Sequence, residues 1–249
     1  WREGDLARPG ELRMTVFDVG QGDAIFLVTP SGRQVLIDGG PDRSTLPHLG
    51  RVMPFSDRGI DLLVLTHPHL DHLASLPEVL RRYRVDAVLL TDAASDSPEH
   101  ARLLEAVAAE GATVLTPDPA VDLDFGDGVV FDVVWPPPGL WERGFSGDVN
   151  DTSIVLRALY KDHAILLTGD MEEPTEAAVL ASGADVDSDV LKVAHHGSRT
   201  SSSTGFLLAV SPDLAVVSAG KDNRFGHPHP DVVARFAALG IPLRVTAEE

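Results

Sequence analysis

The 249-residue sequence has no cysteine, few aromatic residues (6%) and only 20 Lys and Arg against 38 Asp and Glu. The lack of cysteine removes disulfides, thiolate nucleophiles and zinc ribbons together, and it says little about compartment. The shortage of cations leaves a formal charge of −18. This argues against a protein that coats nucleic acid non-specifically, because a phosphate backbone is held mainly by Lys and Arg. It leaves room for an enzyme that grips a few nucleotides at a metal site. No apolar run approaches the roughly 20 residues needed to span a bilayer. The start, Trp1-Arg2-Glu3-Gly4, lacks a signal-peptide pattern. Both ends read as cut, so the expectation is a soluble piece of a longer protein.

What is present is enough apolar material, 43% of residues, to bury a full core in one domain spanning residues 1–249. Residues 24–29 and 34–37 flank Pro30-Ser31-Gly32-Arg33 as a hairpin, and 153–159 and 163–167 read as a second one. Residues 61–66 form a buried strand, followed by a helix over 71–83. Ser97 caps a helix that Gly111 closes. Further strands are expected at 14–17, 87–90, 129–135, 190–194 and 214–218, and helices at 172–181 and 230–239. Strand clusters alternating with helices in both halves predict an α/β architecture of two sheets face to face with helices outside. Pro136-Pro137-Pro138 is the candidate connection between the halves. Gly20-Gln21-Gly22 is no dinucleotide fingerprint, since Ile25 stands where the third Gly belongs and a hairpin follows.

Seven of the ten histidines fall in three groups, His67/His69/His72, His195/His196 and His227/His229. His48, His100 and His163 read as ordinary surface or core residues. In Thr66-His67-Pro68-His69-Leu70-Asp71-His72, imidazoles and a carboxylate, the usual ligands of Zn²⁺, Mn²⁺ and Fe²⁺, follow directly on the buried strand. The His-x-His pair suits one ion and the Asp-His pair a second. Two ions about 3.5–4 Å apart activate a shared water and take up charge on phosphoryl oxygens in a displacement.

This run resembles the signature of the metallo-β-lactamase superfamily, a four-layer αββα sandwich with a dinuclear site at one edge. Leu36-Ile37-Asp38-Gly39-Gly40, Leu167-Thr168-Gly169-Asp170 and Lys192-Val193-Ala194-His195-His196-Gly197-Ser198 resemble its other landmarks, in order. A narrower resemblance is to the metallo-β-lactamase-like domain of the ComEC/Rec2 DNA-uptake proteins of competent bacteria. It rests on residues 17–24, 150–156, 195–198 and 223–230.

The superfamily resemblance implies His67 and His69 on one metal, Asp71 and His72 on the other, and Asp170 between them, with Asp38 supporting the ligands from behind. His195 or His196 supplies the last ligand. His196 is preferred, because a small residue follows the ligand His in the superfamily and Gly197 follows here. Many members carry another His where this chain has Asn150 or Asp151. An amide or carboxylate oxygen, or water, there shifts preference from Zn²⁺ toward Mn²⁺ or Mg²⁺, although Asn150 as a strand cap or substrate contact is equally compatible with the sequence. Asp71 or Asp170 would steer the attacking water, and His195 or His227 would supply the leaving oxygen's proton. His227 and His229 divide evenly between active-site and structural roles.

The stretch from Lys192 to Arg224 counts Lys192, Arg199, Lys221 and Arg224 against Asp213 and Asp222, a local +2. Residues 198–205, Ser198 and Arg199 first, offer hydroxyls and N–H groups suited to phosphate. Phe206, Phe225, Trp135 and Trp141 are the aromatics available for base stacking. The narrower resemblance implies a Mn²⁺-dependent nuclease acting on single-stranded DNA, the strand not imported. It also implies a membrane channel in the same polypeptide, other competence proteins as partners, and placement of this domain on the outer face of the cell membrane. Alternatives are a hydrolase of small phosphodiesters and a degenerate domain that guides DNA without cutting.

Overall fold

The structure is a computed structural model that describes residues 10–93, 95–140, 148–221 and 223–248. Among these, a six-stranded sheet runs in chain order through β1 (Arg13–Val16), β2 (Ile25–Val28), β3 (Gln34–Ile37), β4 (Gly59–Leu65), β5 (Arg84–Leu90) and β6 (Thr113–Leu115). A seven-stranded sheet contains β7 (Leu123–Asp124), β8 (Val129–Trp135), β9 (Val155–Tyr160), β10 (His163–Leu167), β11 (Val190–Lys192), β12 (Leu214–Val217) and β13 (Leu243–Val245). In each sheet the early strands are antiparallel and the later ones parallel, from β3 to β6 and from β10 to β13. Parallel strands put their C-terminal ends on one edge, where the loops that build a site emerge.

The strand sequences are apolar on both faces because each sheet is covered twice. Ile25, Leu27, Val35, Ile37, Leu62 and Val64 meet Val129, Phe131, Val133, Leu156 and Ala158 between the sheets. The alternate residues Phe26, Leu36, Leu63 and Leu65 face helices α1 (Thr45–Val52), α3 (Leu76–Arg82) and α4 (Pro98–Glu110). On the far side, Val155, Leu166, Leu191 and Ala215 pack with α5 (Glu173–Ser182), α6 (Thr204–Val210) and α7 (Pro230–Leu239). These three apolar layers define the expected αββα sandwich. No helix of the described residues is long and apolar enough to cross a membrane.

Three local readings need correction. The helix expected over 71–83 is two helices, α2 (Leu70–Leu73) and α3, broken at Ala74-Ser75. Pro77 has no N–H with which to continue the first helix, and the Ser75 hydroxyl instead donates to Gly39 O at 2.6 Å. The end of the 190–194 strand turns into a 3-10 segment, Ala194–Gly197. The passage between sheets runs from β6 to β7, and the three prolines at 136–138 follow β8 inside the second half. The Ser97 cap behaves as read: its side chain accepts from His100 N and Gly111 closes α4 at φ 73.

Phe131, fully buried between the sheets, tests the central layer. Phe131→Ala is expected to lower unfolding free energy by about 3–5 kcal/mol in urea titration, and a loss under about 1 kcal/mol would show that this layer is not the core.

Candidate metal centre

The site lies where the C-terminal ends of β3 and β4 meet those of β10 and β11. Asp38, at φ 60 just past β3, is fully buried. Its Oδ1 accepts from Thr66 N at 2.8 Å, and Oδ2 accepts from Thr66 Oγ1 at 2.7 Å and lies 2.8 Å from His72 Nδ1. With Nδ1 held there, His72 presents Nε2 to Asp170 Oδ2 at 3.2 Å, across the sheet interface. His196 is turned in the same way: Nδ1 lies 3.0 Å from Ser218 O, and Nε2 lies 3.3 Å from Asp170 Oδ2 and 3.5 Å from Asp71 Oδ2. His67 Nε2 is 3.9 Å from Asp170 Oδ2 and 3.1 Å from His69 Nδ1. His195 Nε2 stands 4.0 Å from the same Asp170 oxygen, with Nδ1 3.0 Å from Glu172.

These separations match the edges of a coordination shell, since two donors about 2.1 Å from one ion at a tetrahedral angle lie about 3.4 Å apart. One ligand atom each from Asp71, His72, Asp170 and His196 falls within a 4.8 Å set. Asp170 Oδ1, His196 Nε2 and Asn150 Oδ1 are buried and make no aligned hydrogen bond among the described residues. Such buried polar atoms need a partner, and a divalent cation is the one that imidazole nitrogens and carboxylate oxygens share. Charge agrees with this. Burial alone would push His72 and His196 down, but the Asp170 charge, with Asp38 at His72 and Asp23 at His196, holds both well above the ordinary histidine value. Burial would likewise raise Asp170, yet His196 and His72 hold it well below the usual carboxylate range. The carboxylate and the two imidazoles thus stabilise opposite charge on one another. Asp71, His72, Asp170 and His196 fit a divalent cation.

Two glycines are required by close approach. A Cβ on Gly22 (φ 143) would overlap the Asp71 carbonyl oxygen, and one on Gly197 (φ 77) would sit 2.7 Å from Pro228 Cβ. The first keeps the β1–β2 loop against the His67–His72 segment, where Asp23 N donates to Asp71 O at 3.3 Å.

Outside that centre the sequence expectations divide. Asp151 is taken up locally: Oδ1 accepts from Thr175 Oγ1 and Glu172 N, and Oδ2 from Asp148 N. Of the two candidates for the remaining ligand position, Asn150 is thus the one whose acceptor is left over, its Nδ2 donating to Glu172 at 3.3 Å. His229 caps α7 by accepting from Asp231 N at 3.2 Å. His227 lines the centre, its ring 5.8 Å from that of His195 and its Nδ1 3.4 Å from Gln21 Nε2. Burial, then His196 and His195, push His227 down to about 4, so near neutral pH it lacks the proton that a donor to the leaving oxygen must carry.

The run at 198–205 is not an open phosphate cradle. Ser198 is buried with its hydroxyl 3.0 Å from Thr200 Oγ1. Ser202 N and Ser203 N donate to the Glu176 carboxylate, Ser201 Oγ donates to Ala194 O, and Thr204 already belongs to α6. Arg199 remains exposed. Phe206 (1% exposed) and Trp135 (6%) are core residues, unavailable to bases; Trp141, like Asp222 of the charge count, lies outside the described residues.

The basic stretch also shrinks, because Lys192 is fully buried. Its Nζ donates to Asp23 Oδ2 at 2.7 Å and to Val193 O at 3.1 Å, and Asp23 Oδ1 lies 3.5 Å from His196 Nδ1. Asp23 and Lys192 stand 169 residues apart in sequence. Sequence reasoning passed over this pair, and the one available signal was an acidic residue ending a Gly-rich turn inside an otherwise apolar stretch.

The model of the metallo-beta-lactamase superfamily matches residues 17–221, and the chain belongs to that superfamily. Its members are generally metal-dependent hydrolases. The chain is 32% identical to ComE operon protein 3 of Bacillus subtilis over 92% of its own length. It is 34% identical to competence protein ComA of Neisseria gonorrhoeae over 94%. It spans about 30% of the length of each of these relatives. Among solved structures, the metallo-beta-lactamase fold protein YhfI of Bacillus subtilis superposes with a TM-score of 0.61, covering 94% of this chain and 96% of that one. At 10% identity this is a likeness of fold.

The Asp23–Lys192 pair yields a stability test. Lys192→Met strands a buried carboxylate and is expected to lower unfolding free energy by about 3–5 kcal/mol, while adding Asp23→Leu restores much of the loss. Equal destabilisation by the single and double variants would show that the two charges do not compensate one another.

Proposed function

We propose that this chain is a metal-dependent phosphodiesterase that hydrolyses single-stranded DNA, degrading the strand not imported during natural transformation. The observation that carries the reading is the position of the Asp170 carboxylate, with four imidazoles at 3.2–4.0 Å from one oxygen. His67 and His69 would hold one cation, Asp71, His72 and His196 the other, and Asp170 both. Bound together, the cations would supply Lewis acidity toward the phosphoryl oxygens and the attacking water. Asn150, whose amide oxygen is a harder donor than imidazole, favours Mn²⁺ over Zn²⁺; it would otherwise contact the substrate.

The chain's own groups have distinct tasks in this reading. Asp38 fixes the tautomer and direction of His72. Asp71, with its side chain 36% exposed, orients the incoming water. His195, with Glu172 against its other nitrogen, is placed to deliver a proton to the leaving oxygen. Arg199, exposed in the loop that follows His196, would meet the substrate's phosphate. The DNA-uptake role draws on the competence proteins to which the chain is similar. Since it spans only part of their length, attachment to a membrane channel portion, contacts with other competence proteins and placement on the outer face belong to the same proposal.

With Mn²⁺, the purified chain is expected to degrade a single-stranded oligonucleotide, and Asp71→Ala and Asp170→Ala each abolish this. Cleavage retained in both variants would sink the site. Hydrolysis of bis-p-nitrophenyl phosphate without any oligonucleotide cleavage would favour a small-ester enzyme. No bound metal together with no hydrolysis under any divalent ion would favour a guiding domain. A graded check is Asp38→Asn, for which metal affinity read by titration calorimetry should fall about 10–100-fold; an unchanged affinity would remove Asp38 from the support of His72.

A further inference from the structure

Phe225 is 52% exposed, yet the loop that carries it is tightly held. Asn223 Nδ2 donates to Gly220 O at 2.7 Å and to His227 O at 2.6 Å, and Asn223 Oδ1 accepts from His227 N at 2.9 Å. Beyond the loop, His229 N donates to Gly197 O at 2.8 Å. A single exposed apolar ring is ordinary by itself; this one sits on a pinned loop and is joined through the His227 ring to His195 at the proposed metal centre.

The surroundings of that ring define the ligand's chemistry. The Phe225 ring lies 5.8 Å from His227 at an interplanar angle of 26°, and the Arg224 guanidinium stands 4.8 Å from the Phe225 centroid. His227 in turn meets His195 edge-on at 5.8 Å, and His195 Nε2 is 4.0 Å from Asp170. A stepped row of planar groups therefore leads from the catalytic cluster to the surface. It ends in a cation on a chain of net charge −18, where a polyanion is repelled overall and must be held locally.

We infer that Phe225, with the Arg224 guanidinium stacked over its ring, forms the stacking platform for an unpaired base next to the scissile phosphate. This rests on the phosphodiesterase reading above and deepens it. Every base offers a π-face, so the platform is tolerant of sequence. A duplex hides those faces, so the platform selects single strands. Arg224 contributes both a planar surface and a charge for the adjoining phosphate.

The test compares an oligothymidylate with an abasic strand of the same length, which keeps the phosphates and removes the bases. KM is measured with Mn²⁺, and Kd by fluorescence anisotropy of labelled strands. The wild-type chain is expected to favour the oligothymidylate about tenfold in both quantities. That ratio falls to near one in Phe225→Ala and is kept in Phe225→Trp. A ratio preserved in Phe225→Ala, or a ratio of one in the wild type, overturns the inference. If the wild type cleaves neither strand, the nuclease reading has failed, and the two Kd values alone decide the platform: equal values overturn it and a tenfold preference sustains it.

Discussion

A carboxylate enclosed between two sheets is the constraint to which the rest of this structure answers. Asp170 is 2% exposed, and an isolated charge in that position would cost several kcal/mol. Imidazoles arriving from both sheets relieve it: His67 and His72 from the end of β4, His195 and His196 from the end of β11. The sheets are therefore joined at this edge by electrostatics as well as by the apolar layer below. Lys192 of β11 and Asp23 add a second buried cross-sheet pair, and Ser218 Oγ, just past β12, donates to Gly22 O of the β1–β2 loop at 2.6 Å. A polar seam of this kind stabilises only when every member is paired.

The same division between paired and open groups separates the centre from its rim. At the centre, burial and opposed charge give each nitrogen and oxygen a single direction, as with His72 between Asp38 and Asp170. At the rim, Asp71, Arg199, Arg224 and Phe225 reach water. Donors that must be preorganised lie in the low-dielectric interior, where electrostatic contacts are strongest. The groups proposed to meet the substrate lie outside it.

Legibility in the sequence followed distance along the chain. The run from His67 to His72 could be read because its donors lie within six residues, and the two hairpins and α7 because apolar spacing and turn residues are local signals. The family landmarks carried Asp38, Asp170 and His196, each at a strand end. What failed had its partner elsewhere. Residues 198–205 read as hydroxyls and N–H groups open to a phosphate, but Glu176 from α5 and Arg235 from α7 engage that backbone, and Ser198, Ser201 and Ser202 are buried. Lys192 counted as a surface cation because nothing near it in sequence announces Asp23. Pro77 did signal a break in the 71–83 helix, and the apolar spacing on either side of it masked the signal.

The double histidine shows how backbone strain serves this arrangement. In an extended strand adjacent side chains leave on opposite faces, so His195 and His196 following β11 would be divided between the centre and the exterior. Both instead adopt left-handed conformations, at φ 48 and φ 54, each at a cost of about 1–3 kcal/mol for a residue with a side chain. The surroundings hold them there: His195 N donates to Gly169 O at 3.1 Å, Ser198 N to His195 O at 2.8 Å, and Ser201 Oγ to Ala194 O at 2.9 Å. The tight turn brings both imidazoles to the same carboxylate oxygen, at 4.0 and 3.3 Å, while their other nitrogens diverge toward Glu172 and Ser218. One strained dipeptide thereby serves two tasks, a nitrogen for the proposed cation and a second, partly exposed imidazole above it. Gly197 is the residue that lets the chain leave that turn beneath Pro228, which is why a small residue must follow the buried histidine.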